Sequence, residues 1–290
     1  MPKLTDVRPS RAETYLLPVT FRVPLKFGAE TMTQATCART RVTVADGRGN
    51  TAEGWGETPL SVGWVWPSSL AYEEREEALQ AFTGRLAQEW AAFDRGGHPI
   101  EIGHAFVEER LPELFAAFNA ERGDAEPMPW LAALVCCSPY DIALHDAYGK
   151  LHGVHVYDTY NAEYMNEDLS AYLTPAERSA LSFRGTYPAD YLTAERPNRL
   201  PAWHLVGGKD LLEDSERTGE EPDDGYPVVL RDWIRRDGLT CLKVKLRGND
   251  AAWDYDRLVA IGGISEEEGV LWLTADFNCT VTDPAYVNDI

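Results

Sequence analysis

Two short stretches carry residue types that can move protons and hold charge. In Cys241-Leu242-Lys243-Val244-Lys245-Leu246, apolar residues alternate with two lysines. Successive side chains of a strand point to opposite faces, so Lys243 and Lys245 share one face and Leu242, Val244 and Leu246 the other. Two ammonium groups projecting from a strand covered on both sides are costly to desolvate, and they repel each other. A lysine whose charge is disfavoured in this way is a candidate general base. In Leu271-Trp272-Leu273-Thr274-Ala275-Asp276-Phe277-Asn278 the same period puts Asp276 and Asn278 on one face, at the C-terminal end of the strand. A carboxylate in that place is a natural ligand for a hard divalent cation such as magnesium.

Between Lys245 and Asp276 there is room for one helix and one strand, the size of a single βα unit. Neighbouring strands lie about 5 Å apart, so the two polar pairs are expected at the same end of adjacent strands. In an α/β barrel that C-terminal rim is where active sites form. Each pair alone has an ordinary explanation: Lys-x-Lys discourages pairing at exposed edge strands, and Asp-x-Asn is frequent in turns. Their separation by one βα unit argues for a shared site.

The elements that position these residues follow from periodicity. Residues 36–44 alternate, with Ala38, Thr40, Val42 and Val44 on one face, which predicts a sheet covered on one side. Asp46-Gly47-Arg48-Gly49-Asn50 is turn chemistry, so residues 51–55 fold back as a hairpin. Residues 24–28 read as a loop. Residues 72–93 carry Leu79, Phe82, Leu86, Trp90 and Phe93 at helical spacing, and residues 104–118 carry Val107, Leu111, Leu114 and Phe118 in the same way. Ser138-Pro139-Tyr140-Asp141 reads as a helix start, and Gly153 suits the end of that helix. Residues 161–199 fit no period and read as an insertion or linker with local helix from Thr174. Residues 210–224 read as a surface loop. Strands at 202–207, 240–246 and 270–278 then alternate with helices at 228–236 and 251–261, the pattern of βαβ units and a parallel sheet.

Composition narrows the partners. The chain has 290 residues, 47 acidic against 27 basic, and a formal charge of −20. A surface that acidic repels phosphate backbones and anionic lipid, so neither nucleic acid nor membrane is expected as a partner. No stretch reaches the roughly 20 apolar residues of a membrane span. The five cysteines (Cys37, Cys136, Cys137, Cys241, Cys279) are odd in number and scattered, which fits reduced thiols in a cytoplasmic protein.

Taken in order, these motifs resemble the enolase superfamily, in its mandelate racemase and muconate lactonizing enzyme branch. Gly54-Trp55-Gly56-Glu57 and the helices after it look like that family's capping domain. Ser138 to Gly153 (SPYDIALHDAYGKLHG) resembles the helix that ends this domain, with Val156-Tyr157 just after it. Lys243-Val244-Lys245 matches the lysine motif of the second barrel strand, and Asp276-Phe277-Asn278 the first metal-ligand motif of the third. The resemblance implies an α+β N-terminal capping domain (1–160), the insertion or linker (161–199), and the first three βα units of a modified TIM-type α/β barrel (200–290). It implies Asp276 as a ligand of Mg2+ and Lys245 as the base that removes the proton α to a substrate carboxylate. Lys243 is then the group that holds the carboxylate and tunes Lys245, and Asn278 a substrate contact. The reaction so implied is acid-sugar dehydration, or racemisation or epimerisation, with cycloisomerisation also open. The implied partner is a small carboxylate, an acid sugar first, bound by a homo-oligomer.

Two loops, 22–30 and 55–67, are implied over the site. Trp55, Trp64 and Trp66 form either a lid or an apolar plug between domains, and Arg22 or Lys26 meets a distal carboxylate or hydroxyl. The histidines show no ligand spacing, and His145 is expected to be structural. An eight-stranded barrel takes roughly 250 residues, and only about 90 follow Pro201, so the barrel is incomplete in this sequence. The family's other metal carboxylates and second acid or base would fall after Ile290. The expectation is the front part of a longer enzyme. The other reading is a truncated, non-catalytic homologue acting as an assembly or binding module, with weak metal binding and a tendency to associate.

Overall fold

The structure is a computed structural model that describes residues 2–27, 30–193 and 195–290. Two compact units make it up, one of Met1–Val19 and Ala35–Arg196, the other of Thr20–Gln34 and Pro197–Ile290. The elements run β1 (Val7–Phe27), β2 (Glu30–Asp46), β3 (Thr51–Pro59), α1 (Val62–Val65), α2 (Tyr72–Ala92), α3 (Pro99–Ala105), a π-turn (Phe106–Arg110), α4 (Leu111–Glu121) and α5 (Trp130–His152). They continue with β4 (Trp203–Val206), α6 (Leu230–Asp237), β5 (Cys241–Lys245), α7 (Ala251–Glu268), β6 (Trp272–Asp276) and α8 (Pro284–Asp289).

In the first unit the sheet has the order β1-β2-β3, with β2 and β3 antiparallel. Ala38, Thr40, Val42 and Val44 are buried, as their alternation predicts. Against them pack Leu79, Phe82, Leu86 and Trp90 of α2 and Cys136, Tyr140 and Leu144 of α5. Gly49 closes the β2–β3 hairpin at φ 84°, and Gly153 ends α5 at φ 67°. Trp66 is fully buried in this core and donates its indole N–H to Glu126 (2.8 Å), while Trp64 is exposed. His98 is buried, caps α3 by accepting the Ile100 N–H, and bonds Thr159 through Nε2 at 2.9 Å. Burial, with smaller effects from His145, His152 and Lys3, pushes its imidazole down to about 3. His145 bonds the Tyr160 hydroxyl at 2.9 Å.

Several expectations need correction. Residues 24–27 are strand, not loop; Phe21, Val23 and Leu25 alternate with Arg22, Pro24 and Lys26, and β1 is an edge strand, where Pro24 is tolerated. Gly28 lies outside the described residues. Residues 55–67 are not one loop, since they hold the end of β3 and α1. The helix expected at Ser138 begins two turns earlier, with Pro139 inside it. Proline costs the helix one hydrogen bond, but those turns bury Ala132, Ala133, Cys136 and Cys137. No helix forms at Thr174; residues 161–193 carry only 3₁₀ turns at Leu169–Ala171 and Pro188–Tyr191.

The second unit holds a parallel sheet of order β4-β5-β6. Leu242, Val244 and Leu246 join Val206, Ile234, Ile261 and Ile264 in its core, which fixes the opposite face of β5 as the lysine face. Strand β6 is less covered: Trp272 is 63% exposed and Leu273 42%. Among the described residues no helix is long and apolar enough to cross a membrane, and all five cysteines are free.

The seam between β3 and α5 is a backbone-to-backbone approach. A Cβ on Gly54 would stand 2.1 Å from the Ala143 carbonyl oxygen and 2.2 Å from the Ala147 nitrogen, and one on Gly56 2.1 Å from the Pro139 oxygen. None of these atoms belongs to a flexible side chain, so the helix as a whole would have to move. Gly54→Ala is expected to destabilise the first unit by about 3 kcal/mol or more, the upper part of the overpacking range. Urea unfolding followed by tryptophan fluorescence measures it; an unchanged midpoint would refute the close approach.

Candidate active site

Strands β5 and β6 are in parallel register with Lys245 opposite Asp276 and Lys243 opposite Thr274. The lysine Nζ donates to Asp276 Oδ2 at 2.6 Å and to Asn278 Oδ1 at 2.7 Å. Lys243 Nζ reaches the same Asp276 oxygen at 3.0 Å. One carboxylate oxygen thus stands between two ammonium groups, which offsets the repulsion expected of neighbouring lysines. Lys245 is buried and Lys243 half-buried.

Just past β6 the chain turns sharply. Asn278 and Cys279 have φ of 54° and 59°, in the left-handed region that non-glycine residues seldom occupy. That turn lets Asn278 serve three groups. Its backbone N–H donates to Asp276 Oδ1 (2.9 Å), its Nδ2 to the Leu246 carbonyl (2.9 Å), and its Oδ1 accepts from Lys245. Burial alone would raise the Asp276 carboxyl, but the hydrogen bonds from Lys245, the Asn278 N–H and Lys243 outweigh it and hold the group down at about 2.

The loops after the strands are braced from below. Buried Asp254 of α7 accepts the N–H groups of Arg247 (2.7 Å) and Gly248 (2.8 Å) and the Tyr286 hydroxyl (2.7 Å), which anchors the loop after β5. Arg257 donates to the carbonyls of Gly207 (2.7 Å) and Asp210 (2.8 Å), and Asp210 accepts the Gly207 N–H (2.6 Å), which shapes the loop after β4.

A cavity of about 290 Å³ opens beside Lys245, lined among others by Lys26, Lys209, Arg247, Asn249 and Asn278. Of the residues singled out in the sequence, Lys26, Lys245 and Asn278 meet there, with Asp276 and Lys243 joined to Lys245 through the ion pairs. Arg22 does not line it. It borders a second cavity of about 620 Å³, and its guanidinium is held by Asp224 (2.6 and 2.7 Å) and by the Pro227 and Tyr226 carbonyls. Trp55 belongs to the first unit. Its ring packs 5.9 Å from Tyr15 and under Arg41, and its backbone N–H donates to Asp146. Lys209, Arg247 and Asn249 were not singled out, because they sit in loops with no period. Their place within the first few residues after β4 and β5 is the signal that points to them.

No protein-family model and no curated protein matches the sequence. Solved structures do. An enolase from Bradyrhizobium complexed with magnesium and mandelic acid superimposes with a TM-score of 0.53 at 17% identity, over 99% of this chain and 58% of that one. An enolase from alpha pretobacterium bal199 with bound magnesium gives 0.51 at 12%, over 98% and 58%. This chain has the fold of those enolases. It spans 58% of the length of each. In that enolase fold the antiparallel sheet with its helices is the cap, and β4, β5 and β6 are part of the barrel.

Magnesium takes near-octahedral oxygen coordination, with one or two carboxylates and the balance from water or substrate. Asp276 offers one such carboxylate. Among the described residues no group of three or more His, Cys, Asp or Glu is placed to hold a metal, and Asp276 is committed to two lysines. These residues by themselves do not fit a bound magnesium ion.

Asp276 titrates near 3.9 when unfolded and at about 2 in the folded chain. Its contribution to stability is therefore whole above about pH 4 and is lost as pH falls towards about 2. Asp276→Asn, which removes the carboxylate that Lys243 and Lys245 share, is expected to unfold at lower urea than wild type at pH 7. The gap should close between about pH 4 and 2. A gap independent of pH would show that Asp276 acts through packing rather than charge.

Proposed function

We propose that this chain is a member of the enolase superfamily, in the mandelate racemase and muconate lactonizing enzyme branch. We propose further that Lys245 exchanges the proton α to a substrate carboxylate. The observation that carries this reading is Lys245 itself: a buried amine at a strand end, aimed by Asp276 and Asn278 and bordering a cavity rich in cations.

In the proposed step the α C–H bond breaks and its electron pair moves into the carboxyl group, giving an enediolate. The proton passes to the free amine of Lys245. The enediolate carries one more negative charge than the substrate, so nearby cations stabilise it more than the ground state, and that difference lowers the barrier. Lys243 supplies one such charge. Once it has taken the proton, Lys245 can return it to the same face. Asp276 and Asn278 orient the amine in both directions.

Magnesium is part of the proposal because the Bradyrhizobium and bal199 enolases hold it, although the described residues by themselves do not complete a site for it. Asp276 would be one of its ligands. The others are not among the groups described above. The magnesium and mandelic acid in the Bradyrhizobium enolase support a small carboxylate as substrate. Acid-sugar dehydration is the first reaction to test, and racemisation or epimerisation the second. A second reading, a non-catalytic assembly or binding module, is favoured by the single carboxylate and by the exposed Leu271 and Trp272 beside and on β6, which also suit self-association.

The test is proton exchange in D₂O with magnesium, read by NMR over a panel of acid sugars and 2-hydroxy acids. Wild type is expected to exchange or consume at least one substrate, and Lys245→Ala to lose about 10²- to 10⁴-fold of that rate. Exchange retained by Lys245→Ala would overturn the role of Lys245. No exchange across the panel, with binding intact, would leave the module reading.

A further inference from the structure

Residues 246–248 follow Lys245 directly, and from the Leu246 N–H to the Gly248 N–H each backbone polar group is engaged. The Leu246 N–H donates to the Asp276 carbonyl (2.9 Å), and the Leu246 carbonyl accepts from Asn278 Nδ2 (2.9 Å). The Arg247 N–H donates to Asp254 Oδ1 (2.7 Å), and the Arg247 carbonyl accepts from the Thr280 hydroxyl (2.6 Å). The Gly248 N–H donates to Asp254 Oδ2 (2.8 Å). Gly248 stands at φ 71°, and a Cβ there would collide with Thr280 Oγ1. The segments after β5 and β6 therefore close on each other at a point that glycine alone allows.

Asp254 holds this closure from α7. It is fully buried and has no ion pair among the described residues. A buried carboxylate without a cation is expensive. Two backbone N–H groups and the Tyr286 hydroxyl (2.7 Å) compensate it. The same hydroxyl accepts the Asp250 N–H (3.0 Å) at the start of α7, so Tyr286 ties α8 to both ends of the lock. The path from here to the amine is short. Asn278 holds the Leu246 carbonyl through Nδ2 and accepts from Lys245 Nζ through Oδ1 (2.7 Å). A shift of residues 246–248 carries Asn278 with it and turns an acceptor away from the amine. We infer that Asp254 and Tyr286 are positioning residues for Lys245: neither lines the cavity, and both set the direction of the amine through residues 246–248 and Asn278. The inference rests on the proposed function for the reaction, but not for the geometry of the amine.

The experiment uses the full chain with its lysine ε-nitrogens labelled with ¹⁵N. An ammonium group held by two acceptors exchanges its protons more slowly than a solvated one and gives a resolved NMR signal, which Lys245→Met identifies by its loss. Asp254→Asn, whose amide NH₂ must face one of the three donors, is expected to move that signal or merge it with those of solvated lysines. Tyr286→Phe, which keeps the ring and loses the hydroxyl, should do the same, and it decides alone where Asp254→Asn does not fold. Ile261→Val weakens the core under α7 without touching residues 246–248 and should leave the signal in place. A signal unmoved by the first two variants, or moved equally by Ile261→Val, would overturn the inference. On a substrate from the D₂O panel, both variants should lower kcat for α-proton exchange about 10- to 100-fold and change KM by less than about twofold, because a displaced amine loses rate rather than affinity. A raised KM with kcat unchanged would overturn it as well. A moved signal, where wild type itself exchanges no substrate, would keep the positioning role and count against proton transfer by Lys245.

Discussion

The site depends on strand register. Lys245 and Asp276 face each other because β5 and β6 run parallel with those two positions paired. A slip of one residue would turn Lys243 and Lys245 towards Leu230, Ile234 and Ile261, and would put Leu242 and Val244 on the cavity side. The core therefore enforces the site: the hydrophobic face of β5 cannot be satisfied in any other register, and the lysines have no choice of side. The ion pairs add direction to an arrangement that burial has already selected.

Given that register, one carboxylate oxygen holds two ammonium groups in place. Such an arrangement keeps a buried lysine tolerable, since its partners are a carboxylate with a second load and a neutral amide. Stability and reaction pull on the same atoms. Asp276 holds the Lys245 Nζ that the proposed function asks to react. The strained turn at Asn278 and Cys279 belongs to this balance, because it lets one side chain tie Leu246, Lys245 and Asp276 together.

Much of this was legible in the residues themselves. A period of two separates lysine from core on β5, and one βα unit measures the distance from Lys245 to Asp276. Both readings rest on local geometry that tertiary contacts did not override. The same holds for the buried stripe of α2 and for Gly153. What could not be read depended on partners distant in sequence. Pro139 looks like a helix start until the turns before it are seen to bury four residues in a core made by other segments. Pro24 hid a strand that is permitted only because β1 lies at an edge. Lys209 and Arg247 lie in loops whose shape is set by Arg257 and Asp254, and no pattern in a loop announces which helix will brace it.

Charge poses a last difficulty for the proposed carboxylate substrate, which must approach a chain of net charge −20. The two fields act at different ranges. At physiological salt the Debye length is about 8 Å, so acids spread over the surface are largely screened from a ligand at the cavity mouth. The cavity cations act across a few ångströms, in a hollow partly closed to water, where screening is weaker and each interaction stronger. An anion therefore feels the lining rather than the surface once it has come close, and it approaches more slowly than a neutral molecule would. Raising the salt should ease the approach while weakening the hold. Opposed slopes of association and affinity against ionic strength are what a cationic hollow in an acidic protein demands.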